Sequence, residues 1–154
     1  MKSVQLQSWG QIAEIVSGVA VVITLVFLIF EIRSNTNAVK IDTYDRLVAD
    51  VANWQMMIAT NNELGEALAL GGPSADDLRN DYQNFITNRS AQGLWIIYER
   101  AFLQWEAGNI SDVQFGRFRS QICTGPILGT SLDASLRRNT SASFTTFRDE
   151  CESD

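Results

Sequence analysis

From Ile12 to Phe30 the chain reads IAEIVSGVAVVITLVFLIF, and no alternation of polar and apolar positions interrupts it. Glu14 is the only charge in this stretch. From Ile15 to Phe30 sixteen residues pass without one, with Ser17 and Thr24 as the only hydroxyls. A bilayer core calls for about 20 mainly apolar residues in a helix. Residues 12–32 meet that length if Glu14 and Glu31 sit near the two headgroup layers. A helix apolar on every side needs either lipid or a large protein around it, and 154 residues do not make a large protein. The pattern predicts one transmembrane helix over residues 12–32, preceded by a polar lead over residues 1–11. Trp9 stands just before the span, where an indole suits the headgroup layer. A cleaved signal peptide is the rival reading. Lys2 lies far from the apolar run, and Glu31 and Arg33 interrupt the approach to a poor cleavage site at Thr36 and Ala38, so retention is expected.

Beyond the span the pattern changes to one-sided stripes. Ser34, Asn35 and Asn37 are positions for a break, and Asn35 or Thr36 for a new cap. Tyr44, Leu47, Val48, Val51, Trp54 and Ile58 then recur at helical spacing. Without a break the first helix continues to about Thr60. A short helix is expected over Glu63 to Leu70, and Gly71-Gly72-Pro73 stops it. Ser74-Ala75-Asp76-Asp77 reads as a capped start for a long helix ending at Glu106. Its stripe is Leu78, Tyr82, Phe85 and Ile86, then Leu94, Trp95, Tyr98, Phe102 and Trp105. Gly93, inside it, permits a close crossing or marks a kink. Gly108-Asn109 is a turn, and Ser111-Asp112 caps a helix with Val113, Phe115, Phe118 and Ile122. Two more helices are expected, Ile127 to Arg138 and one with Phe144, Phe147 and Cys151, capped by Ser141 or Ser143. No stretch alternates convincingly as a strand. The expected fold is all-α: an N-terminal transmembrane helix, then a small antiparallel helical domain over residues 33–154. Its core is expected from Leu47, Val51, Tyr82, Phe85, Tyr98 and Phe102.

Charge narrows the partners. The net charge is −6, and from Thr36 onward sixteen acidic residues face ten basic ones. That balance excludes a nucleic-acid surface, which needs clustered Lys and Arg, and a domain lying flat on anionic lipid. Two cysteines, Cys123 and Cys151, do not make a disulfide scaffold in a chain of this length. The two could pair, which the sequence does not show; free thiols are expected.

Chemistry is sought and not found. There is no histidine, which removes the commonest general base near neutral pH and the commonest metal ligand. A zinc site would need both cysteines and two carboxylates. Glu99 and Glu106 share a helix face, but the Glu-x-x-His pairs of di-iron bundles are absent; solvated or salt-bridged glutamates are the plainer reading. Cys123 has no histidine to activate it, Ser17, Ser111 and Ser141 sit in no nucleophile motif, and Gly71-Gly72-Pro73 lacks the residues of a phosphate loop. The expectation is no enzyme, no cofactor and no metal. The aromatic residues Trp54, Tyr82, Phe85, Trp95, Tyr98, Phe102 and Trp105 are instead expected to be domain core or interface, since aromatics are enriched where subunits meet.

Two stretches carry a resemblance. One is the span followed by Glu31-Ile32-Arg33-Ser34-Asn35-Thr36-Asn37-Ala38 and Tyr44. The other is Tyr98 with Phe102-Leu103-Gln104-Trp105-Glu106-Ala107-Gly108-Asn109-Ile110. Together they resemble a widespread group of small bacterial single-span membrane proteins of unknown function, in which an I-R-x-N-T-x-A stretch follows the span and a helical domain follows that. The serine-rich run from Ser131 to Ser143 departs from the group, where a tryptophan and more arginines are common. The resemblance implies the bacterial inner membrane and brings no catalytic residue.

Within the span Ala13, Ser17, Ala20 and Thr24 are spaced four, three and four apart, on one helix face. Small residues let helices approach closely and hydroxyls can bond across them. That face is the expected interface of a homo-oligomer, or of a complex with another membrane protein. Two other readings compete: a pore formed by a ring of copies, lined by Ser17 and Thr24 with Glu14 or Glu31 as charged rings, and a soluble or exported helical binding domain. Arg33, Lys40 and Arg46 after the span, against Lys2 and the amino terminus before it, predict a cytoplasmic domain by the inside rule.

Overall fold

The computed structural model of the chain describes residues 2–70, 80–125 and 135–151, and side chains of the first helix at Glu14 and from Val16 onward. Five helices are described: α1 Lys2–Thr60, α2 Asn62–Ala69, α3 Asp81–Glu106, α4 Asp112–Thr124 and α5 Ala142–Cys151. No strand occurs among the described residues. The chain divides into two units, Met1–Lys40 and Ile41–Asp154.

The first unit is helix throughout its described length. Ser34, Asn35 and Asn37 leave α1 unbroken. Thr36 Oγ1 donates to Ile32 O at 2.8 Å. Bonding back to the preceding turn keeps the hydroxyl from competing with the helix for backbone groups. From Val16 to Ile32 every residue is exposed, including Phe27 and Phe30 at 66% and 67%. The helix contains one stretch long and apolar enough to cross a membrane.

The second unit is a small helical bundle. Its part of α1 buries Leu47 completely, with Tyr44, Val51 and Trp54 half-buried against the same core. Asn61 caps α2, its side chain accepting from Leu64 N–H at 3.0 Å. Helix α3 is capped by Asn80 rather than by a residue near Ser74. Asn80 Oδ1 accepts from Gln83 N–H at 2.8 Å, and Gln83 Oε1 accepts from Asn80 N–H at 3.2 Å. This reciprocal capping box satisfies two of the free amides of the first turn. The serine start Ser74-Ala75-Asp76-Asp77 lies outside the described residues, as do Gly71-Gly72-Pro73 and most of the helix expected from Ile127. Ser111 caps α4 as expected, with Gln114 closing a second capping box.

The end of α3 is set by its glycine. Gly108 has φ +71°, a region open to glycine and strained by about 1–2 kcal/mol for other residues. Its N–H donates to Trp105 O, and Asn109 N–H to Gln104 O, each at 2.9 Å. This is the Schellman arrangement, which consumes carbonyls the helix would leave unpaired. Helix α3 runs unbroken through Gly93, and a Cβ there would meet nothing within 4 Å, so no close crossing uses its missing side chain.

Phe102 sits at the centre of the core. Its ring lies 6.2 Å from Phe115 of α4 and 5.4 and 5.0 Å from Phe144 and Phe147 of α5, centroid to centroid. Trp105 stacks on Phe115 at 4.6 Å. Such contacts add about 0.5–1.5 kcal/mol each to the burial of the rings. Two residues expected in this core are outside it. Tyr82 and Phe85 are 57% and 56% exposed. They lie in the first turns of α3, where short α2 is the described neighbour, whereas α4 and α5 cover the later turns with aromatic side chains.

The expectation of free thiols is overturned. Cys123 at the end of α4 and Cys151 at the end of α5 form a disulfide, with Cα atoms 5.1 Å apart. The sequence separation of 28 gave no hint of it. Packing of both helices around Phe102 brings their ends together. Closing a loop of this size restricts the unfolded chain and is worth about 2–4 kcal/mol.

Phe102→Ala is expected to lower the unfolding free energy of the domain by about 3–5 kcal/mol, and Tyr82→Ala to change it by less than about 0.5 kcal/mol. Denaturant unfolding of the full chain in mild detergent, followed by tryptophan fluorescence, measures both. Equal midpoints for the two variants would remove Phe102 from the core.

Candidate functional site

A cleft of about 420 Å3 lies within the second unit. Helix α1 supplies Tyr44, Val48, Val51 and Gln55 to it, spaced four, three and four along one face, with Ala52 and Trp54 beside them. Leu94, Trp95 and Tyr98 come from α3, Arg117, Phe118, Gln121 and Ile122 from α4, and Arg148 from α5. The walls are thus mainly aliphatic and aromatic, with two arginines and no acid among the described residues.

Local packing fixes some of the polar members. Trp54 Nε1 donates to Ser90 O at 3.0 Å, which ties α1 to α3. Arg100 of α3 pairs with Asp50 of α1, outside the cleft. Arg148 is only 2% exposed, and its guanidinium carbon lies 4.5 Å from the Trp95 ring centroid. A cation over an indole face is favourable, and more so when desolvated. Trp95 is itself 2% exposed, and its buried Nε1 has no hydrogen-bond partner among the described residues. Arg117 is exposed at the rim and forms no ion pair with a described residue. Tyr98 is 9% exposed, and burial raises its phenol above the ordinary value of 10.0, because desolvation penalises the phenolate. It is a neutral hydroxyl throughout the physiological range.

The residues read from the sequence do not converge on one place. Trp54, Trp95 and Tyr98 meet in the cleft, while Phe102 and Trp105 belong to the aromatic cluster behind it. Tyr82 is exposed elsewhere on α3. Phe85 lines a shallower groove with Met57, Leu64 and Ile86, and Arg89 lies over its ring at 5.4 Å. On the span, Ser17, Ala20 and Thr24 are exposed; the Ala13 side chain lies outside the described set. Thr24 Oγ1 donates to Ala20 O at 2.9 Å, so its proton is engaged inside its own helix.

Glu99 and Glu106 have a structural use. Glu99 Oε1 accepts from Ser141 N–H at 2.6 Å, and Glu106 Oε2 accepts from Ser143 Oγ at 3.3 Å. Ser141 immediately precedes α5, so two carboxylates of α3 grip the electropositive start of that helix. No group of three or more potential metal ligands occurs among the described residues.

Arg117 and Arg148 were not singled out from the sequence. One signal was available: Phe144, Phe147, Arg148 and Cys151 follow helical spacing, so an arginine occupies a position in an otherwise apolar stripe. No family model, curated protein or solved structure matches the chain, and the resemblance to the single-span group rests on the quoted residues alone.

The Tyr98 shift has a sign that can be checked. The unfolded chain loses the phenolic proton first, so above about pH 10 the native state holds more protons and stability falls as pH rises; below that value its contribution is complete. Tyr98→Phe should therefore lose less stability than the parent between about pH 9 and about pH 11. Thermal midpoints at the two values report it. Identical losses would mean that Tyr98 is not shielded.

Proposed function

We propose that the chain is a membrane-anchored helical interaction or assembly protein, non-enzymatic, acting as an oligomer or as a subunit of a membrane complex. One observation carries the reading. The first helix presents exposed apolar residues from Val16 to Ile32, and the same helix buries Leu47 completely in a folded domain. Apolar area of that extent is stable only under lipid or a partner. Lipid tails are as apolar as leucine, so association between spans depends on close packing. Because Thr24 bonds within its own helix, the seam rests on the small size of Ala13, Ser17, Ala20 and Thr24 more than on hydroxyl bonds between helices. The resemblance to the single-span bacterial group fits this reading.

Two signals bear on orientation, and they disagree. Arg33, Lys40 and Arg46 outnumber Lys2 and the amino terminus by one positive charge, a small bias toward a cytoplasmic domain. The Cys123–Cys151 disulfide favours the other side, since cytosolic thiol systems keep such pairs reduced. A covalent pair that has to persist outweighs one charge. The domain is therefore assigned to the oxidising face of the inner membrane, with the amino terminus in the cytoplasm, which reverses the expectation from basic residues.

Two experiments follow. Native mass spectrometry in mild detergent should give a multimer for the parent, a reduced subunit count for Ala20→Leu, and the parental count for Val22→Leu, which lies off the seam. A monomeric parent ends the idea of self-assembly, and an unchanged Ala20→Leu multimer moves the seam elsewhere. For orientation, cells are quenched in acid and thiols tagged with a maleimide polymer under denaturing conditions. The domain on the oxidising face takes up no tag until a reductant is added. Two tags without reduction would return it to the cytoplasm.

A further inference from the structure

We infer that the cleft of the helical domain binds an uncharged amphiphile: a hydrocarbon body ending in one neutral head group that both donates and accepts hydrogen bonds. The inference is independent of the proposed role in assembly and rests on which polar groups the cleft leaves open.

The walls set the body of the ligand. Val51, Leu94, Phe118 and Ile122 line about 420 Å3, within the roughly 300–1,000 Å3 typical of small-molecule sites, which pair apolar walls with a few placed polar groups. A hydrocarbon body gains by displacing water from such walls. Tyr98 sets the head. The residue is nine-tenths buried in the core. It lines this cleft and not the neighbouring hollow of Arg89, Ile96 and Thr140, which Trp95 also borders. Its hydroxyl forms no hydrogen bond with a described residue, and it is not among the partnerless atoms sealed from solvent. A buried ring therefore ends in an open hydroxyl. Burial holds the proton on it, so the oxygen can donate as well as accept. Tyr44 of α1 repeats the arrangement: half-buried, lining the cleft, with a hydroxyl that is neither sealed nor bonded to a described residue. Gln55 and Gln121 are exposed and line the cleft too, and a carboxamide also donates and accepts without carrying charge. The arginines do not select the head. Arg148 is engaged over the Trp95 ring and has a further partner. Arg117 is exposed at the rim, where solvent and salt screen it. An ionised head beside Tyr98 would lose its hydration without gaining an unengaged counter-charge, which is costly.

The test uses the full chain in nanodiscs of zwitterionic lipid, titrated with decanol, decane and decanoate. Trp54 and Trp95 line the cleft, so tryptophan fluorescence reports occupancy. Decanol is expected to give a saturable change and to bind more tightly than either decane or decanoate. Tyr98→Phe keeps the ring and removes the hydroxyl. It should weaken decanol binding by roughly three- to tenfold and leave the response to decane unchanged. Partition into the bilayer does not depend on Tyr98, so that difference separates the site from the lipid. Ala52→Phe, at an exposed position lining the cleft, places a ring in it and should abolish the change. Circular dichroism verifies that both variants keep the parental helix content. The absence of a saturable change with decanol overturns the proposal. So does a folded Tyr98→Phe or Ala52→Phe protein that binds decanol like the parent, or a parent that binds decane or decanoate as tightly as decanol.

Discussion

The domain depends on the burial of Phe102. Its ring touches aromatic rings of both α4 and α5, and those helices are joined to α3 only through turns and residues outside the described set. Short helices of 8 to 13 residues are marginal on their own in water. Helices α4 and α5 hold because an aromatic face on each finds a place against α3, and α2 because Leu64 and Ala67 are buried. The remaining features follow from that docking. Cys123 and Cys151 come within bonding distance because the ends of α4 and α5 are already adjacent, and Glu99 and Glu106 reach the start of α5 because α5 lies along α3.

Polar groups are spent on helix ends. Asn61, Asn80 and Ser111 each cap a helix with a side-chain oxygen, and the Gly108 turn closes α3. Paired glutamates that elsewhere hold metals or move protons here satisfy a serine amide and a serine hydroxyl. Buried exceptions are spread over the bundle: Thr87 Oγ1, Ser90 Oγ, Ser141 Oγ and the Trp95 indole N–H have no hydrogen-bond partner among the described residues. Arg148 is buried over the Trp95 ring.

The two units answer to different solvents. Surface from Val16 to Ile32 would be a liability in water, where exposed apolar patches of this extent drive association. In a bilayer the same residues are at rest, and an α-helix satisfies every backbone group without help. The bundle follows the ordinary rule of water-soluble domains, with Leu47, Trp95, Phe102 and Phe144 inside and charged side chains mostly outside.

Much of the local structure was legible in the sequence. The apolar run specified a helix able to span a membrane, because sixteen uncharged residues leave few alternatives. The Ser111 cap, the Gly108-Asn109 turn and the apolar stripe through Leu94, Trp95, Tyr98 and Phe102 were readable from spacing and turn chemistry, which act over a few residues. The true cap of α3 was also written there, as Asn80 with Gln83 three residues on, but Ser74 with its following acids gave a louder signal. Other outcomes could not be read locally. Tyr82 and Phe85 share the pattern of buried residues and are exposed, because burial depends on which neighbour covers which turn. The cysteines pair, and Arg117, Arg148, Trp54 and Trp95 meet around one cleft, only because helices distant in sequence pack on α3. Sequence periodicity determined which faces are apolar; the tertiary structure decided which of those faces meet, since that choice is made by side-chain fit between elements that no local pattern encodes.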